Sequence, residues 1–322
     1  MPKNKAHIYW SLPGSEVLNT LDQSEGNDRF YFAPFDPAGE PIVLTGKVVE
    51  ASWDAIDLSL PSDTLPSAGT SAQDHRTWVK TAIRFIAESD LDKVVLSTVN
   101  AIPGSVQLGE SLKALRERYP QAMVYVFHHP ETGMWMGASP EPLVNSSDGR
   151  YLTASLAGTR LYEEIPVPWG QKESLEQSIV TDYIKSKLRE SGATELRISR
   201  PDTIRFGDIE HIRSEIRFDS DDLDKTIRYL HPTPAVCGTP LKTALQFIEE
   251  HESHTRKWYT GYFGVIHENT DAQLFVNLRC CEVFSNGILV YAGGGITFES
   301  EPEHEWEETR AKAASIAQVM IK

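Results

Sequence analysis

The stretch from Gly261 to Ala292 limits the possible folds of this chain more than any other. Gly261 to Ile266, Ala272 to Phe284 and Ile288 to Ala292 are apolar runs rich in β-branched and aromatic residues, separated only by short turn segments. Strands joined that closely pair antiparallel, because a parallel pair needs a crossover of a dozen or more residues. The same holds for Ala122–His128 and Gly133–Ala138, which flank a P-E-T-G turn. Further strand-like runs are Pro41–Val48 and Lys93–Val99. Helical periodicity alternates with these strands over His75–Ser89, Glu110–Tyr119, Gln171–Arg189, Pro240–His251 and Ala311–Ile321. The first helix gathers Trp78, Ile83, Phe85 and Ile86 as its apolar positions, and the third gathers Leu175, Ile179, Tyr183, Ile184 and Leu188. The expected class is α+β with mostly antiparallel sheets, not a doubly wound parallel sheet. No G-x-G-x-x-G opens a helix, so a dinucleotide-binding site has no support.

At 322 residues the chain suffices for one large domain or two, and Pro61–Asp74 is the best linker candidate. The net charge of −15 argues against nucleic acid as a partner, since little is available to neutralise phosphates. An acidic protein that takes an anionic ligand must reverse its local field, commonly with a divalent cation. Cys237, Cys280 and Cys281 are odd in number, and the adjacent pair points to opposite faces of a strand, so we expect no disulfide and a reduced, cytoplasmic setting. No stretch reaches transmembrane length, and no membrane partner is expected.

Several residues could carry chemistry. A glycine triplet, Gly293–Gly295, follows the apolar strand Gly287–Ala292 and precedes an acidic helix start. In that helix Glu305, Glu308 and Lys312 stand at i, i+3 and i+7 and share one face. Backbone amides, two carboxylates and an ammonium then converge, which suits an anionic small molecule held partly by a metal ion. Glu173 and Glu176 form a second i, i+3 pair, and carboxylates from two helices can ligate Mg²⁺; solvated helix faces are the alternative for both pairs. Lys93 opens the strand K-V-V-L and is either a strand-end lysine with its head in water or a desolvated amine able to act as a base. Glu141, between Pro140 and Pro142, is either a turn residue or a rigidly aimed general acid. Arg279 falls inside the run F-V-N-L-R-C-C-E-V and needs an anionic partner, such as a bound carboxylate. His211, taken alone, reads as a structural histidine.

Together the segments resemble the chorismate-utilising enzyme family. The matching motifs are D-K-V-V-L-S (92–97), G-A-S-P-E-P-L (137–143), S-L-A-G-T-R (155–160), K-E-S-L-E-Q-S-I-V-T-D (172–182) and E-H-I-R-S-E-I (210–216). H-P-T-P-A-V-C-G-T-P (231–240), W-Y-T-G-Y-F-G-V-I (258–266), L-R-C-C-E-V (278–283), Y-A-G-G-G-I (291–296) and E-W-E-E-T-R-A-K-A (305–313) complete the series in order. The resemblance runs from about residue 75 to the C-terminus, and residues 1–70 are poorly matched.

The resemblance implies a single chorismate-binding domain over 1–322, with large antiparallel sheets and flanking helices around a central cleft, and with 75–322 as its catalytic core. It implies Mg²⁺ as cofactor, with Glu173, Glu176, Glu305 and Glu308 as the metal shell. Lys312, Arg279, Tyr259 and the amides around Gly293 and Gly295 are then carboxylate-binding groups. Gly158 and Thr159 belong to the pocket wall, and His211 lies near the C4 hydroxyl. Members that add water carry a lysine where Lys93 stands, whereas members that use ammonia generally lack it, so no glutaminase partner is expected. Ala157, where aminodeoxychorismate synthases carry a lysine, disfavours that branch. Ala235, where several salicylate and anthranilate relatives have threonine, leans toward isochorismate formation. The implied activity is conversion of chorismate to isochorismate, with Lys93 as base and Glu141 as acid. Salicylate synthase, which also eliminates pyruvate, is the alternative, and a binding protein that has lost catalysis is a third reading. Gln177, often histidine in the family, and Thr98, often arginine, are departures. A monomer is expected.

Overall fold

A computed structural model describes residues 6–321 apart from 57, 68, 163, 165, 166, 207 and 208. Of Ala55, Thr159, Leu161, Lys172, Phe206 and Ile209 it describes the backbone alone. Seventeen strands and six helices are defined among the described residues. The strands are β1 (His7–Ser11), β2 (Leu18–Asp22), β3 (Asp28–Ala33), β4 (Ile42–Ala51), β5 (Lys93–Pro103), β6 (Met123–His129), β7 (Gly133–Ser139), β8 (Pro142–Ser147) and β9 (Arg150–Leu161). They continue with β10 (Thr194–Ile198), β11 (Asp202–Phe206), β12 (Ile209–Asp219), β13 (Gly238–Thr239), β14 (Tyr262–Ile266), β15 (Ala272–Val276), β16 (Cys280–Phe284) and β17 (Gly287–Ile296). The helices are α1 (Ala72–Glu88), α2 (Leu108–Arg118), α3 (Gln171–Ser191), α4 (Leu223–Leu230), α5 (Leu241–His251) and α6 (Pro302–Met320).

All pairings are antiparallel and form two sheets. One runs β13-β5-β17-β16-β7-β6-β1-β2-β4. The other runs β4-β3-β14-β15-β8-β9-β12, with β10 and β11 side by side along the outer edge of β12. Strand β4 belongs to both: Ile42–Gly46 pairs with β3 and Lys47–Ala51 with β2. The inner faces meet in an aromatic layer of Trp10, Phe30, Phe32, Tyr125, Phe127, Trp135 and Phe263. Burying each such ring contributes roughly 1.5–3 kcal/mol, so this layer holds the sheets together. Helices α2 and α6 cover the outside of the first sheet, and α3 and α4 the outside of the second.

Four expectations about local structure change. The run Ala272–Phe284 is two strands, not one: β15 lies in the second sheet and β16 in the first, so Asn277–Arg279 crosses between them. Arg279 therefore sits in a corner, with φ 47°, rather than inside a strand. The apolar run continues on both sides of the corner, which hid the break. On α3, Leu175 is 62% exposed and Ile179 37%, and the buried face is Gln177, Val180, Ile184 and Leu188. The glycine triplet lies inside β17, and the acidic segment and Ala311–Ile321 form one continuous helix, α6, with Pro302 in its first turn. The Pro61–Asp74 segment is laid against the sheet: Thr70 N–H donates to the Val99 carbonyl (2.8 Å), and the Leu65 amide donates to Asn286 Oδ1 (2.8 Å). Its last residues already belong to α1.

Candidate active site

The site forms at the seam where strands pass from one sheet to the other. β7 leads to β8 through Pro140 and Glu141, and β15 leads to β16 through Asn277–Arg279. These crossings run side by side. Val276 N–H donates to the Glu141 carbonyl (2.9 Å), Ala138 N–H to the Arg279 carbonyl (3.1 Å), and Ser139 Oγ to the Val276 carbonyl. Asn277 fixes the corner through Tyr125 Oη (2.7 Å) and the Trp258 carbonyl (2.8 Å). Glu141 is thus held by its own backbone, as the flanking prolines suggest, and its carboxyl lies in protein. Burial pushes that carboxyl up to about 7, against the pull of the Lys93 ammonium.

Lys93 begins β5. Its ammonium is surrounded by protein, although the residue keeps some surface toward the cleft. Burial lowers its proton affinity, while Glu176, Glu141 and Glu305 oppose the shift and Lys312 adds to it. Charges from the β7–β8 joint, α3 and α6 thus all act on the ammonium at the start of β5.

The three glycines of β17 have separate reasons. A Cβ on Gly295 would lie 2.6 Å from Lys93 Cε, one on Gly293 3.0 Å from Tyr259 Oη, and one on Gly294 3.1 Å from Glu305 Oε2. The triplet makes room for the side chains of Lys93, Tyr259 and Glu305 on the two faces of the strand. Its amides are also available. The ladder partners of Gly293 and Gly295 are Ser97 and Val95, whose own N–H groups donate to Glu252 Oε1 (2.6 Å) and the Cys237 carbonyl (2.9 Å). These two pairs are therefore the non-hydrogen-bonded kind, and the Gly293 and Gly295 amides face away from β5. Pairing with β16 stops at Val290, so that edge is open. On it the Gly293 carbonyl accepts from Lys312 Nζ (2.9 Å), which also pairs with Glu308 Oε1 at 2.6 Å.

His211 stands on β12 beside a bulge in β9, where Gly158 is the extra residue at φ 67°. The His211 ring donates to the Gly158 carbonyl. Burial lowers its pKa, with Lys312 and Arg279 contributing, while the Gly158 bond and Glu308 oppose the shift. A Cβ on Gly158 would lie 3.1 Å from Glu173 Cβ and 3.2 Å from Ile212 Cδ1. Glycine there lets the first turn of α3 pack on β9. The Glu173 carboxylate folds back over Gly170, the N-cap of α3, whereas Glu176 reaches toward Lys93. Tyr259 is buried and stacks on Tyr291, with ring centroids 5.5 Å apart. Ala235 is half-buried in the turn before β13. The Thr159 side chain lies outside the described residues.

Burial and Glu308 both push Glu305 up, with a hydrogen bond from Ser300 opposing them. Two like charges close together on one face are what a divalent cation relieves. Among the described residues no three Asp, Glu, His or Cys side chains come within joint reach of one ion. Mg²⁺ does not require that, since it keeps several waters and takes one or two carboxylates with substrate oxygens. The donor set therefore fits Mg²⁺.

One group was invisible in the sequence. Arg256 and Glu252 form a buried pair (2.6 Å) in the polar segment E-S-H-T-R. Arg256 donates to the Val95 and Val236 carbonyls (2.6 and 2.9 Å), and Glu252 accepts from Ser97 N–H and Oγ (2.6 and 2.9 Å). Beyond β13 the edge of β5 thus has an ion pair where a neighbouring strand would be, and this fixes the strand that carries Lys93. Nothing in the local pattern distinguishes this segment from an exposed loop. The departures Gln177 and Thr98 are both buried. Gln177 donates to the Ser155 carbonyl (3.1 Å), and Thr98 contacts the Ala292 carbonyl (3.4 Å). A surface hollow lined by Asp28, His267 and Asp271 lies at the β14–β15 turn, and the Asp28 carboxylate is already engaged there by Val48 and Glu268 amides.

A family model described as chorismate binding enzyme matches residues 57–321. The chain belongs to the chorismate-binding enzyme family. It is 30% identical over 269 residues to the isochorismate synthase DhbC of Bacillus subtilis, covering 77% of this chain and 68% of that protein. It is 29% identical over 275 residues to the salicylate biosynthesis isochorismate synthase of Pseudomonas aeruginosa, covering 79% of this chain and 58% of that protein. The chain thus spans roughly three fifths to two thirds of the length of these relatives. The solved structure of MenF, the menaquinone-specific isochorismate synthase from Escherichia coli, superposes with a TM-score of 0.83 at 22% identity, covering 98% of this chain and 89% of that one. The fold is that of the family. No helix among the described residues is long and apolar enough to cross a membrane.

Proposed function

We propose that this chain converts chorismate to isochorismate with Mg²⁺. The observation that carries the reading is the pairing of Lys93 and Glu141. Both are set in protein in one cleft, with burial lowering the proton affinity of the amine and raising the carboxyl to about 7. An amine whose proton affinity is lowered and a carboxyl that holds its proton up to about 7 are matched to the base and acid that the reaction needs. Lys93 Nζ takes a proton from water as its oxygen bonds to C2. The ring double bonds shift, and Glu141 gives its proton to the C4 hydroxyl, which leaves as water. One water enters and one leaves, so the reaction is an isomerisation.

Glu173, Glu176, Glu305 and Glu308, from α3 and α6, would hold Mg²⁺, some of them through water. When bound, the ion supplies an anchor for the ring carboxylate of chorismate. Arg279, Lys312, Tyr259 and the Gly293 and Gly295 amides bind and orient the carboxylates, with Gly158, Thr159 and Ala235 along the pocket. His211, held by the Gly158 carbonyl, stands near the C4 hydroxyl. Elimination of pyruvate in the same cleft is the alternative reading; the relative named for salicylate biosynthesis is itself named an isochorismate synthase. Chromatography after incubation with chorismate and MgCl₂ tests both. Isochorismate alone is expected, lost in Lys93→Ala. Salicylate with pyruvate replaces the reading by its alternative, and tight chorismate binding without product marks a binding protein.

A further inference from the structure

We infer that Tyr119 is the positioning residue that holds the Arg279 guanidinium in place to receive a carboxylate. This rests on the proposed reading of the cleft and deepens it by naming what aims its arginine.

Arg279 occupies a left-handed corner, a conformation that costs a non-glycine residue on the order of 1–3 kcal/mol and persists only where surroundings enforce it. Its neighbours are anchored: the Arg279 carbonyl accepts from Ala138 N–H, and Asn277 is bonded on both sides of its amide. The guanidinium itself pairs with no carboxylate among the described residues. What it meets is the ring of Tyr119, 5.5 Å from the guanidinium carbon to the ring centroid. A ring within cation–π reach holds the cation near it without using a hydrogen-bond acceptor, and the N–H edge is the part that grips a carboxylate with two parallel bonds.

Tyr119 is itself held at two points. It is the C-cap of α2, with its N–H on the Leu115 carbonyl (2.9 Å), and its hydroxyl donates to the Ser315 carbonyl of α6 (3.0 Å). Ser315 Oγ in turn donates to the Lys312 carbonyl (2.7 Å). One side chain therefore touches both the corner that presents Arg279 and the helix that presents Lys312. Arg118 also approaches the Tyr119 ring, at 6.0 Å, but from an exposed position.

The test compares Tyr119→Leu, Tyr119→Phe and Arg279→Ala, singly and combined. KM and kcat for chorismate are measured with MgCl₂. The calorimetric Kd for isophthalate, a planar dicarboxylate that does not react, is measured on the same proteins. Tyr119→Leu is expected to raise KM and the isophthalate Kd roughly tenfold, the size of a partly desolvated cation–π contact, with kcat within about twofold. Tyr119→Phe keeps the ring and recovers most of that loss. In the Arg279→Ala background Tyr119→Leu adds nothing further. Equal tenfold losses in both backgrounds, or a fall in kcat at unchanged KM, would overturn the inference. So would a wild type that fails to bind isophthalate. A wild type that binds isophthalate in a Tyr119-dependent way yet leaves chorismate unchanged refutes the proposed reaction and leaves the inference standing.

Discussion

Replacing Glu141 by Gln tests the acid and its energetics together. Gln fills the same space and keeps the backbone bonds to Ser139 and Val276, but it carries no titrating proton. In the folded protein the Glu141 carboxyl is pushed from its ordinary 4.5 to about 7, chiefly by burial. Ionising it there costs roughly 3 kcal/mol more than in the unfolded chain. Because the folded pKa is the higher one, the folded state holds a proton that the unfolded state has released between about pH 4.5 and 7. The group's contribution to stability is therefore fully present below about pH 4.5 and is lost as pH rises through that window. Glu141→Gln has no such loss. Urea unfolding followed by tryptophan fluorescence, on both proteins from about pH 4.5 to about pH 8.5, should show a gap that opens with pH. It should approach about 3 kcal/mol in favour of Gln near about pH 8. Chorismate conversion should meanwhile fall by about 10²–10⁴-fold, the usual contribution of a positioned acid. A stability gap that does not change with pH would refute the buried, proton-holding carboxyl. Near-normal turnover would refute its role as the acid.

Gly295→Ala places a methyl 2.6 Å from Lys93 Cε, where ordinary contact begins near 3.4 Å. The lysine end can swing away, so the melting temperature should move little, while an ammonium displaced by about 1 Å should cost on the order of 10²-fold in kcat; unchanged kcat would show that Lys93 is not held there. Arg256→Met strands the buried Glu252 carboxylate and should cost about 3–5 kcal/mol in denaturant unfolding. Adding Glu252→Gln should return part of that, and a double variant no more stable than Arg256→Met would mean that the pair does not act as a unit.

The elements that matched expectation are those in which burial repeats along one segment. In β6, Val124 and Val126 face the helices and Tyr125 and Phe127 face the other sheet, so alternation marks a strand covered on both sides. The ends of α5 and β7 agree to within a residue or so for the same reason. On α3 the local pattern misled. Leu175 and Ile179 supply hydrophobicity without burial, and Gln177 is buried because Ser155 of β9 offers it hydrogen bonds. No periodicity within α3 could report what β9 presents to it.

Residue type and short spacing were enough to establish an antiparallel α+β fold, the motifs that mark the family, and the side chains that could act as acid, base and metal shell. The chain carries that information locally. Where those side chains meet was settled by the folded arrangement alone. The joints that carry Glu141 and Arg279 lie together because two strands change sheets side by side, and the corner at Asn277–Arg279 is invisible within a continuous apolar run. The glycine triplet looked like an anion cradle; in the fold its open-edge amides stay available, and each missing Cβ also clears a path for Lys93, Tyr259 or Glu305. Nothing local marks Arg256 and Glu252; their role comes from the edge of β5, whose backbone takes them as partners. In each case the deciding quantity is a distance between segments far apart in the chain, and no local pattern encodes it.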